Sequence, residues 1–297
     1  VVLHQIHNYQ NGQYTNFNND CGYDDLSYVN DIPSTDITNG TVILFRTPDG
    51  TGQWFEDKNL NQSPLTPGAN NEGVSQTIAQ CSAIFPSGAQ TYTDSGAISF
   101  FNANDQIINN PSLNLATKTV YHYNGAINTC GSGNCISANV IAEQVNNINF
   151  TANSNNIALY NSDELTLTPG NYNELSITHS SKLILTAGDY YFNHYVNTYE
   201  NAEIILDGSG VVRIFANNNI GIRTKVNEGG DATQLLLFST KEISLFEGST
   251  TNAFLVSKED SIIKSTLTGA VNSKNVYFFD GQLTYESTEP DFGNYCD

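Results

Sequence analysis

From about residue 157 onward, the sequence repeats short apolar runs that are separated by small polar turns at a nearly constant interval. The segment LTPGNY at 167–172 returns as LTAGDY at 185–190, a step of 18 residues. The segment LDGSGVV at 206–212 follows 21 residues later, with the same order of apolar residue, small turn and strand-like run. Because self-similarity at a regular period is the signature of a repeat architecture, this pattern constrains the fold more than any single motif does.

Three serines mark a second series of equivalent turns, at steps of 18 and 16 residues: Ser239, Ser257 and Ser273. Such steps fit one coil of a β-solenoid, since two or three strands that rise about 3.3 Å per residue, joined by tight corners, use that many residues. No segment carries the apolar period of an amphipathic helix over three turns. The sequence therefore predicts an all-β protein whose body is a right-handed parallel β-helix, with a β-sandwich of similarly spaced hairpins as the alternative.

The amino-terminal part has a different pattern. TVILFRTPDGTGQWFEDKN predicts a hairpin, with a strand from Thr41 to Arg46, a Pro-Asp-Gly turn and a second strand that carries Trp54. The stretch NQSPLTPGANNEG follows and is typical of a linker. We therefore expect three regions: a small, β-sandwich-like β-module over 1–75, a β-rich region with the Cys130/Cys135 loop over 76–156, and β-helix coils over 157–297.

The charge balance narrows the range of partners. The chain has 11 basic and 30 acidic residues and a formal net charge of -19. Nucleic acid and anionic membrane surfaces attract proteins through Lys and Arg, so both are poor partners for this chain. No stretch approaches the roughly 18 apolar residues of a membrane span, and we expect no membrane insertion. A surface made soluble by Asn, Ser, Thr and Gly is typical of exported bacterial β-proteins.

The five cysteines form no CxxC pair of the kind that holds zinc or an iron-sulfur cluster. In TCGSGNC, four residues that include two glycines let the backbone fold back, which predicts a disulfide between Cys130 and Cys135. The other three thiols leave one over. Either Cys81 pairs with Cys296 or Cys21 pairs with Cys81, and an unpaired exported cysteine is able to link two chains.

Several motifs occur in an order that resembles the extracellular domain of MshQ-like proteins, encoded with the mannose-sensitive haemagglutinin type IV pilus of aquatic gammaproteobacteria. They include QCSAIFPSGAQT, TCGSGNC, LTAGDYYF, GSGVVRIFANNNIGI, GGDATQLLLFSTKEISL, NAFLVSK, LTGAVNSKNV and DFGNYC. The resemblance covers about residues 78–297. It implies an exported surface or pilus-associated protein, an adhesin or structural component without an established enzymatic activity. It also implies a Cys81–Cys296 bridge, which leaves Cys21 unpaired or intermolecular.

A β-helix is also a fold on which polysaccharide lyases and hydrolases are built, and their chemistry needs carboxylates or a basic residue aimed at a sugar-binding cleft. The candidates on adjacent coils are Asp189, Glu174, His179 and His194. The two histidines are 15 residues apart where the local step is 18, so we expect them not to stack. The interpretation that these are solvated turn residues is favoured, and we expect no catalytic residues and no enzyme.

Metal binding has two sequence candidates. His4 and His7 in HQIH lack a nearby cysteine or carboxylate, which argues against a metal centre there. NNDCGYDD concentrates Asp20, Asp24 and Asp25, and oxygen-rich acidic loops hold Ca²⁺ in many exported proteins. Solvated turns are the simpler interpretation, so no cofactor is expected and Ca²⁺ is the one candidate ion.

Five aromatic residues of the first module are candidates for a glycan platform: Tyr9, Tyr14, Tyr23, Tyr28 and Trp54. A small β-module also needs large side chains to fill its core, and that interpretation is favoured.

The sequence thus predicts a non-catalytic extracellular bacterial surface protein, located at the cell surface or pilus, that acts as an adhesin or structural subunit. Its expected partners are further copies of itself in a filament, other pilus or cell-surface components, and glycans. The alternative is a glycan-binding module or a polysaccharide-active β-helix enzyme.

Overall fold

The computed structural model describes residues 2–10, 13–16, 41–46, 55–57, 84–141, 145, 148–293 and 295. The chain divides into two compact units, Val1–Gln80 and Cys81–Asp297. Among the described residues, no helix has the length and apolar character needed to cross a membrane.

The first unit contains an antiparallel sheet in the order β2-β1-β3-β4. Its strands are β1 (Val2–Gln10), β2 (Gln13–Asn16), β3 (Thr41–Arg46) and β4 (Phe55–Asp57). The predicted strand over Thr41–Arg46 and its antiparallel partner are therefore confirmed, whereas Trp54 lies outside the described residues. β-branched and aromatic residues in TVILFR favour this extended conformation.

The second unit consists of short strands. Those before residue 141 are β5 (Ala89–Thr91), β6 (Ala97–Phe100), β7 (Gln106–Ile108), β8 (Asn114–Leu115), β9 (Thr119–His122) and β10 (Ile136–Ser137). The next group is β11 (Asn156–Leu159), β12 (Glu164–Leu167), β13 (Gly170–Tyr172), β14 (Glu174–Ile177), β15 (Lys182–Leu185), β16 (Gly188–Phe192), β17 (Val196–Thr198) and β18 (Glu203–Leu206). The last group is β19 (Val212–Ala216), β20 (Ile220–Ile222), β21 (Lys225–Val226), the 3₁₀ turn Ala232–Gln234, β22 (Leu235–Ser239), β23 (Ile243–Leu245), β24 (Thr250–Ile263), β25 (Thr266–Phe278) and β26 (Gln282–Tyr285).

These strands form three parallel faces, and each coil contributes one strand segment to each face. Face I contains β11, β14, β17, β20, β23, the ends of β24 and β25, β6 and β9. Face II contains β12, β15, β18, β21, the starts of β24 and β25, β26 and β7. Face III contains β13, β16, β19, β22, the middles of β24 and β25, and β5. The predicted parallel β-helix is confirmed, and the β-sandwich alternative is wrong.

The coils do not stack in sequence order. β25 and β26 pair in parallel with β5, β6 and β7, which precede them in the chain. At this seam the Ala97 amide donates to the Asn275 side chain, 178 residues away. The stack therefore runs from 156 to 285 and continues with residues 89–137. Residues 84–141, which the sequence analysis placed in a separate β-rich region, are coils of the same helix.

Alternation of side chains along the short strands creates the core. In β14 and β15 every second residue points inward, and Leu175, Ile177, Leu183 and Leu185 are fully buried or nearly so. Outward positions on the same strands are polar or partly exposed. Each fully buried aliphatic side chain stabilises the fold by about 1.5–3 kcal/mol, so stacked inward columns account for the closed interior.

The three repeat serines lie in register on face III. Ser239 pairs with Ser257, which pairs with Ser273, and all three are fully buried. The Ser239 hydroxyl donates to the Asn218 carbonyl at 2.7 Å, and that of Ser257 donates to the Asp260 carbonyl at 2.9 Å. Because a buried hydroxyl is costly without a partner, serine at this corner is set by the turn that it bonds. The predicted equivalence is confirmed.

The motifs LTPGNY and LTAGDY are equivalent locally but not in register. The Tyr172 hydroxyl donates to Thr168 O at 2.6 Å, and the Tyr190 hydroxyl donates to Thr186 O at 2.8 Å, so both motifs form the same turn. On face II the predicted step of 18 residues holds, since Glu164 pairs with Lys182. On face III, however, Tyr172 pairs with Phe192. The corner absorbs two residues, so alignment of the two tyrosines is wrong there.

The predicted Cys130–Cys135 disulfide is present and lies in the last coil of the stack. Cys135 is buried, its amide donates to the Thr129 hydroxyl at 3.0 Å, and its carbonyl lies 2.9 Å from Nε2 of His122. The bridge therefore holds the end of the core together where no further coil covers it within the described residues.

Replacing both bridge cysteines, Cys130→Ser with Cys135→Ser, is expected to lower stability by about 2 kcal/mol, from the closure entropy of a short loop. Hydrogen exchange should accelerate in β9 and β10 and stay unchanged in β14–β19. Unchanged exchange in β9 and β10, or uniform loss of protection along the chain, would count against this role of the bridge.

Stability is expected to fall at alkaline pH through Tyr92, whose hydroxyl donates to the Lys258 carbonyl. Burial, together with the charges of Glu259 and Asp260, raises the pKa of Tyr92 to about 12 from 10.0. A raised folded pKa means that this stabilisation is complete below pH 10 and is lost as pH rises towards about 12. Thermal melts between pH 9 and pH 12 should show this loss, and Tyr92→Phe should show a shallower one. An identical slope in both proteins would exclude Tyr92 as its source.

Candidate functional site

The outer surface of face III is covered by other parts of the same chain. Its outward side chains Phe215, Phe238 and Phe254 are fully buried. The Phe85 ring contacts the Phe254 ring at 4.9 Å between centroids, and the Tyr295 ring contacts that of Phe215 at 4.5 Å. This second apolar layer holds the segments that begin and end the unit, so face III offers no open binding surface there.

Asp189 belongs to the polar clamp that fixes the carboxyl-terminal segment on face III. Its carboxylate accepts from Arg213 Nη1 at 2.7 Å and from the Tyr295 hydroxyl at 2.6 Å. Arg213 also donates from Nε to the Asp291 carbonyl at 2.7 Å. Burial, followed by the hydrogen bonds to Asp189 and Tyr191, raises the pKa of Tyr295. Both oxygens of Asp189 are therefore engaged in holding structure.

Face I has an open outer surface whose lower half has a floor of small side chains. One outward residue per coil lies in register along the axis: Ala158, Ser176, Asn197, Gly221 and Ser244. Adjacent strands are about 4.8 Å apart, so the floor extends about 19 Å along the axis. Above it, the same column continues with larger side chains, Ile262 and Tyr277. They close the upper end of the floor.

An aromatic wall borders one side of this floor, at the corner between faces I and II. Tyr160 and Tyr199 are 49% and 43% exposed, respectively. Higher up, the Arg223 guanidinium lies 3.6 Å from the Phe246 ring centroid and 5.6 Å from that of Tyr199. A guanidinium stacked on aromatic rings keeps both planes in fixed orientation. Thr178, a smaller side chain, occupies the level between Tyr160 and Tyr199 and leaves a gap between the two tyrosines.

A polar wall borders the other side of the floor. Its residues lie two positions before the floor residue on each strand: Asn156, Glu174, Tyr195, Asn219 and Glu242. The Asn156 amide donates to Glu174 Oε1 at 2.8 Å, and the Glu242 amide donates to Asn219 Oδ1 at 3.4 Å. Amide, hydroxyl and carboxylate groups therefore alternate along this side. We call the floor with its two walls the tyrosine groove.

Phenol groups from both walls approach each other above Ser176. The hydrogen bond to Glu174 is the main reason that the pKa of Tyr195 is raised, and the neighbouring Tyr199 and Tyr160 phenols add to it. These two tyrosines belong to the opposite wall, so their effect on Tyr195 places the three rings around one stretch of floor. The tyrosine groove thus combines ring surfaces with hydrogen-bonding groups, as sites for polar organic ligands do.

Above the tyrosine groove the same corner is filled by rings that stack on one another. The Phe101 ring lies 4.3 Å from that of Phe279 and 4.9 Å from that of Tyr123. Lys264 Nζ lies 5.4 Å from the Phe279 ring centroid. Ring faces in this stack are used against neighbouring rings, so it stabilises the coils rather than presenting free faces.

The structure separates the proposed catalytic residues. Glu174 points outward on face I, whereas Asp189 points outward on face III. His179 lies in the turn between faces I and II, and His194 lies at the corner between faces III and I, so the prediction that the histidines do not stack is confirmed. No three His, Cys, Asp or Glu side chains lie close enough to hold a metal in the part of the chain searched, the described residues.

Many predicted residues lie outside the described residues, and these predictions stay open. They are Cys21, Cys81 and Cys296, the acidic residues Asp20, Asp24 and Asp25, and the aromatic residues Tyr23, Tyr28 and Trp54. For His4, His7, Tyr9 and Tyr14, β1 and β2 give the backbone only.

Sequence reasoning missed the tyrosine groove. Its floor residues Ser176, Asn197 and Gly221 are separated by unequal steps of 21 and 24 residues, because the corners differ in length. Alternation within each strand was the available signal, since it marks Ser176 and Asn197 as outward. Assigning them to one column required the register between coils.

Comparisons with known proteins give little similarity. No protein-family model matches the chain, and no curated protein matches it. Among solved structures, the crystal structure of an ice binding protein from an Antarctic biological consortium matches over 73% of this chain and 93% of that chain, with 12% identity and a TM-score of 0.27. A likeness at this TM-score carries no argument about this chain.

Proposed function

We propose that this protein is a non-catalytic extracellular bacterial surface protein, an adhesin whose β-helix is a rigid support for the tyrosine groove on face I. One observation carries the proposal: exposed tyrosines and hydrogen-bonding side chains follow a single open face, while face III is closed by the chain's own segments. Stacked backbone hydrogen bonds along every coil suit a support that must not deform under load. Pilus association, which the MshQ-like motifs imply, belongs to the same proposal.

Adhesion is tested with microbeads that carry the purified full chain, presented to bacterial and animal cell surfaces under flow. We expect retention well above that of albumin-coated beads. In parallel, a panel of polysaccharides is incubated with the protein, and new reducing ends and unsaturated sugar ends are measured. Retention equal to albumin beads would reject the adhesin, and depolymerisation of any polysaccharide would reject the non-catalytic assignment.

End-to-end assembly into a filament is a second part of the proposal, supported by the ends of the stack. Within the described residues, β11 at one end and β9 at the other pair with the stack on one side only. Exposed apolar side chains concentrate in the last coil, where Ile127 and Ile136 are 63% and 52% exposed. Unpaired strand edges and exposed apolar groups favour addition of another copy.

Sedimentation velocity across a concentration series, with electron microscopy of the same samples, tests the assembly. We expect mass to rise with concentration and particles to join along their long axis. Discrete monomers at the highest concentration would overturn the filament and leave the adhesin as a single particle.

A further inference from the structure

We infer that the tyrosine groove binds a neutral, extended polysaccharide of the β-1,4-linked type, lying along the helix axis. This inference rests on the proposed adhesive function and names the ligand class of the same surface. It follows from the shape of the floor, from the chemistry of the two walls and from the local charge.

The shape of the groove selects an extended chain. Floor residues lie in register on successive parallel strands, so the floor is straight over about 19 Å. Gly221 forms its narrowest side chain, and an added Cβ there would lie 2.6 Å from Asn197 Oδ1. Equatorially linked sugars form a flat ribbon that matches a straight, shallow floor, whereas a compact or coiled glycan does not.

The aromatic wall provides the apolar contact that sugar rings need. One face of a pyranose ring carries C–H groups, which pack on aromatic faces, and tyrosine adds a polar hydroxyl at its edge. Tyr160 and Tyr199 keep free ring surface because Thr178, a small residue, lies between them. They differ in this from Phe279 and Phe101, whose faces are stacked together.

The polar wall provides partners for ring hydroxyls. Glu174 and Glu242 are acceptors, and the amides of Asn156 and Asn219 act as both donors and acceptors. A sugar hydroxyl is itself both donor and acceptor, so a chain of neutral sugars pairs with every group on this wall. A few well-placed polar groups beside aromatic surface are the usual composition of a small-molecule site.

Local charge excludes an acidic polysaccharide. Two carboxylates, Glu174 and Glu242, border the groove, and its one cation, Arg223, lies flat against Phe246. Two negative wall groups repel a uronate or sulfate chain, and the net charge of -19 adds to that repulsion.

Isothermal titration calorimetry of the full chain tests the inference with cellohexaose, xylohexaose and chitohexaose, and with hexagalacturonate as the anionic control. We expect saturable binding of at least one neutral hexamer and none of hexagalacturonate. Tyr199→Ala should raise the Kd at least tenfold, and Gly221→Val, which fills the floor, should abolish binding. Tyr121→Ala is the matched control, since Tyr121 is an exposed tyrosine on face I above the groove, and it should bind as the wild type does. Circular dichroism melts of each variant verify the fold.

Binding of hexagalacturonate in preference to the neutral hexamers, or no binding at all, would overturn the inference. So would equal affinity of Tyr199→Ala and wild type. If the groove instead holds a second copy, the wild type sediments as a dimer that Tyr199→Ala dissociates, and no hexamer binds. Bead retention on cells without hexamer binding would reject the glycan and leave the adhesin standing, whereas hexamer binding without retention would reject the adhesin.

Discussion

Phe278→Ala is expected to destabilise the protein by about 3–5 kcal/mol, the usual cost of truncating a fully buried phenylalanine. Phe278 lies in β25 at the seam, where its ring stacks on that of Phe100 at 4.8 Å between centroids. The truncation removes apolar contact between strands that are far apart in sequence. We therefore expect residues 89–137 to lose protection first, because they are held to the rest of the stack through this seam.

Denaturant unfolding with hydrogen-exchange mass spectrometry measures this effect, and Phe192→Ala is the matched control. Phe192 is an equally buried phenylalanine in β16, distant from the seam. It should cost a similar amount but expose residues 174–216 instead. Equal loss of protection in 89–137 for both variants would contradict a special role of the seam.

Gly269→Ala has the second large expected effect, about 4 kcal/mol, as the sum of a strained φ and a steric clash. Gly269 lies in β25 with φ +136°, a conformation that side chains rarely adopt. An added Cβ would lie 2.0 Å from the Ala253 carbonyl oxygen, in the neighbouring strand β24. Since that oxygen belongs to the backbone, the two coils must separate to make room.

Gly248→Ala separates the two contributions and serves as the control. Gly248 has φ +77°, and an added Cβ would meet nothing within 4 Å. Its expected cost is therefore about 1–2 kcal/mol, from the φ alone. Chemical denaturation of both variants gives the comparison, and equal losses would show that the close approach of β24 and β25 is absent.

The seam also depends on a buried carboxylate. Asp105 accepts hydrogen bonds from the amides of Phe101 and Asn102 at 2.6 and 2.7 Å, and from that of Gly281 at 2.9 Å. The first two bonds close a turn before β7, and the third joins that turn to the coil that contains β26. A single side chain thus joins a local turn to a contact between sequence-distant segments, and both partners must be present for it to be satisfied.

Local features of this protein were predictable from the sequence. The Cys130–Cys135 bridge closes a loop within one motif, and Ser239 and Ser257 occupy turns that repeat along the chain. The strand Thr41–Arg46 follows from a run of β-branched and aromatic residues. In each case the residues that determine the structure lie within a few positions of one another.

The seam was not predictable in the same way. β5 and β6 are three and four residues long, and AQT and AISF suit almost any position in a parallel stack. What places them above β25 is the match of coil size and inward side chains with a segment about 180 residues later in the chain. Contacts at such separation leave no local pattern, and they are also slow to form during folding.

The tyrosine groove depended on the same missing information. Alternation showed that Ser176, Asn197 and Gly221 point outward, yet only the register shows that they share one column. The tyrosines beside them lie at corners of different length, so their spacing in the sequence is irregular. A binding surface on a solenoid is a property of stacking, and it becomes visible once the stacking order is known.

Cysteine cross-linking across the seam tests the stacking order most directly. Ser99 and Tyr277 are register partners with outward side chains on face I, so Ser99→Cys with Tyr277→Cys should form a disulfide in nearly all molecules. The control pair, Ser244→Cys with Tyr277→Cys, lies in the same column but two coils apart, about 9.6 Å, and should stay reduced. Peptide mapping identifies the linked segments. A disulfide specific to the first pair is the predicted result, and its absence, with both pairs equally reduced, would contradict the continuous β-helix.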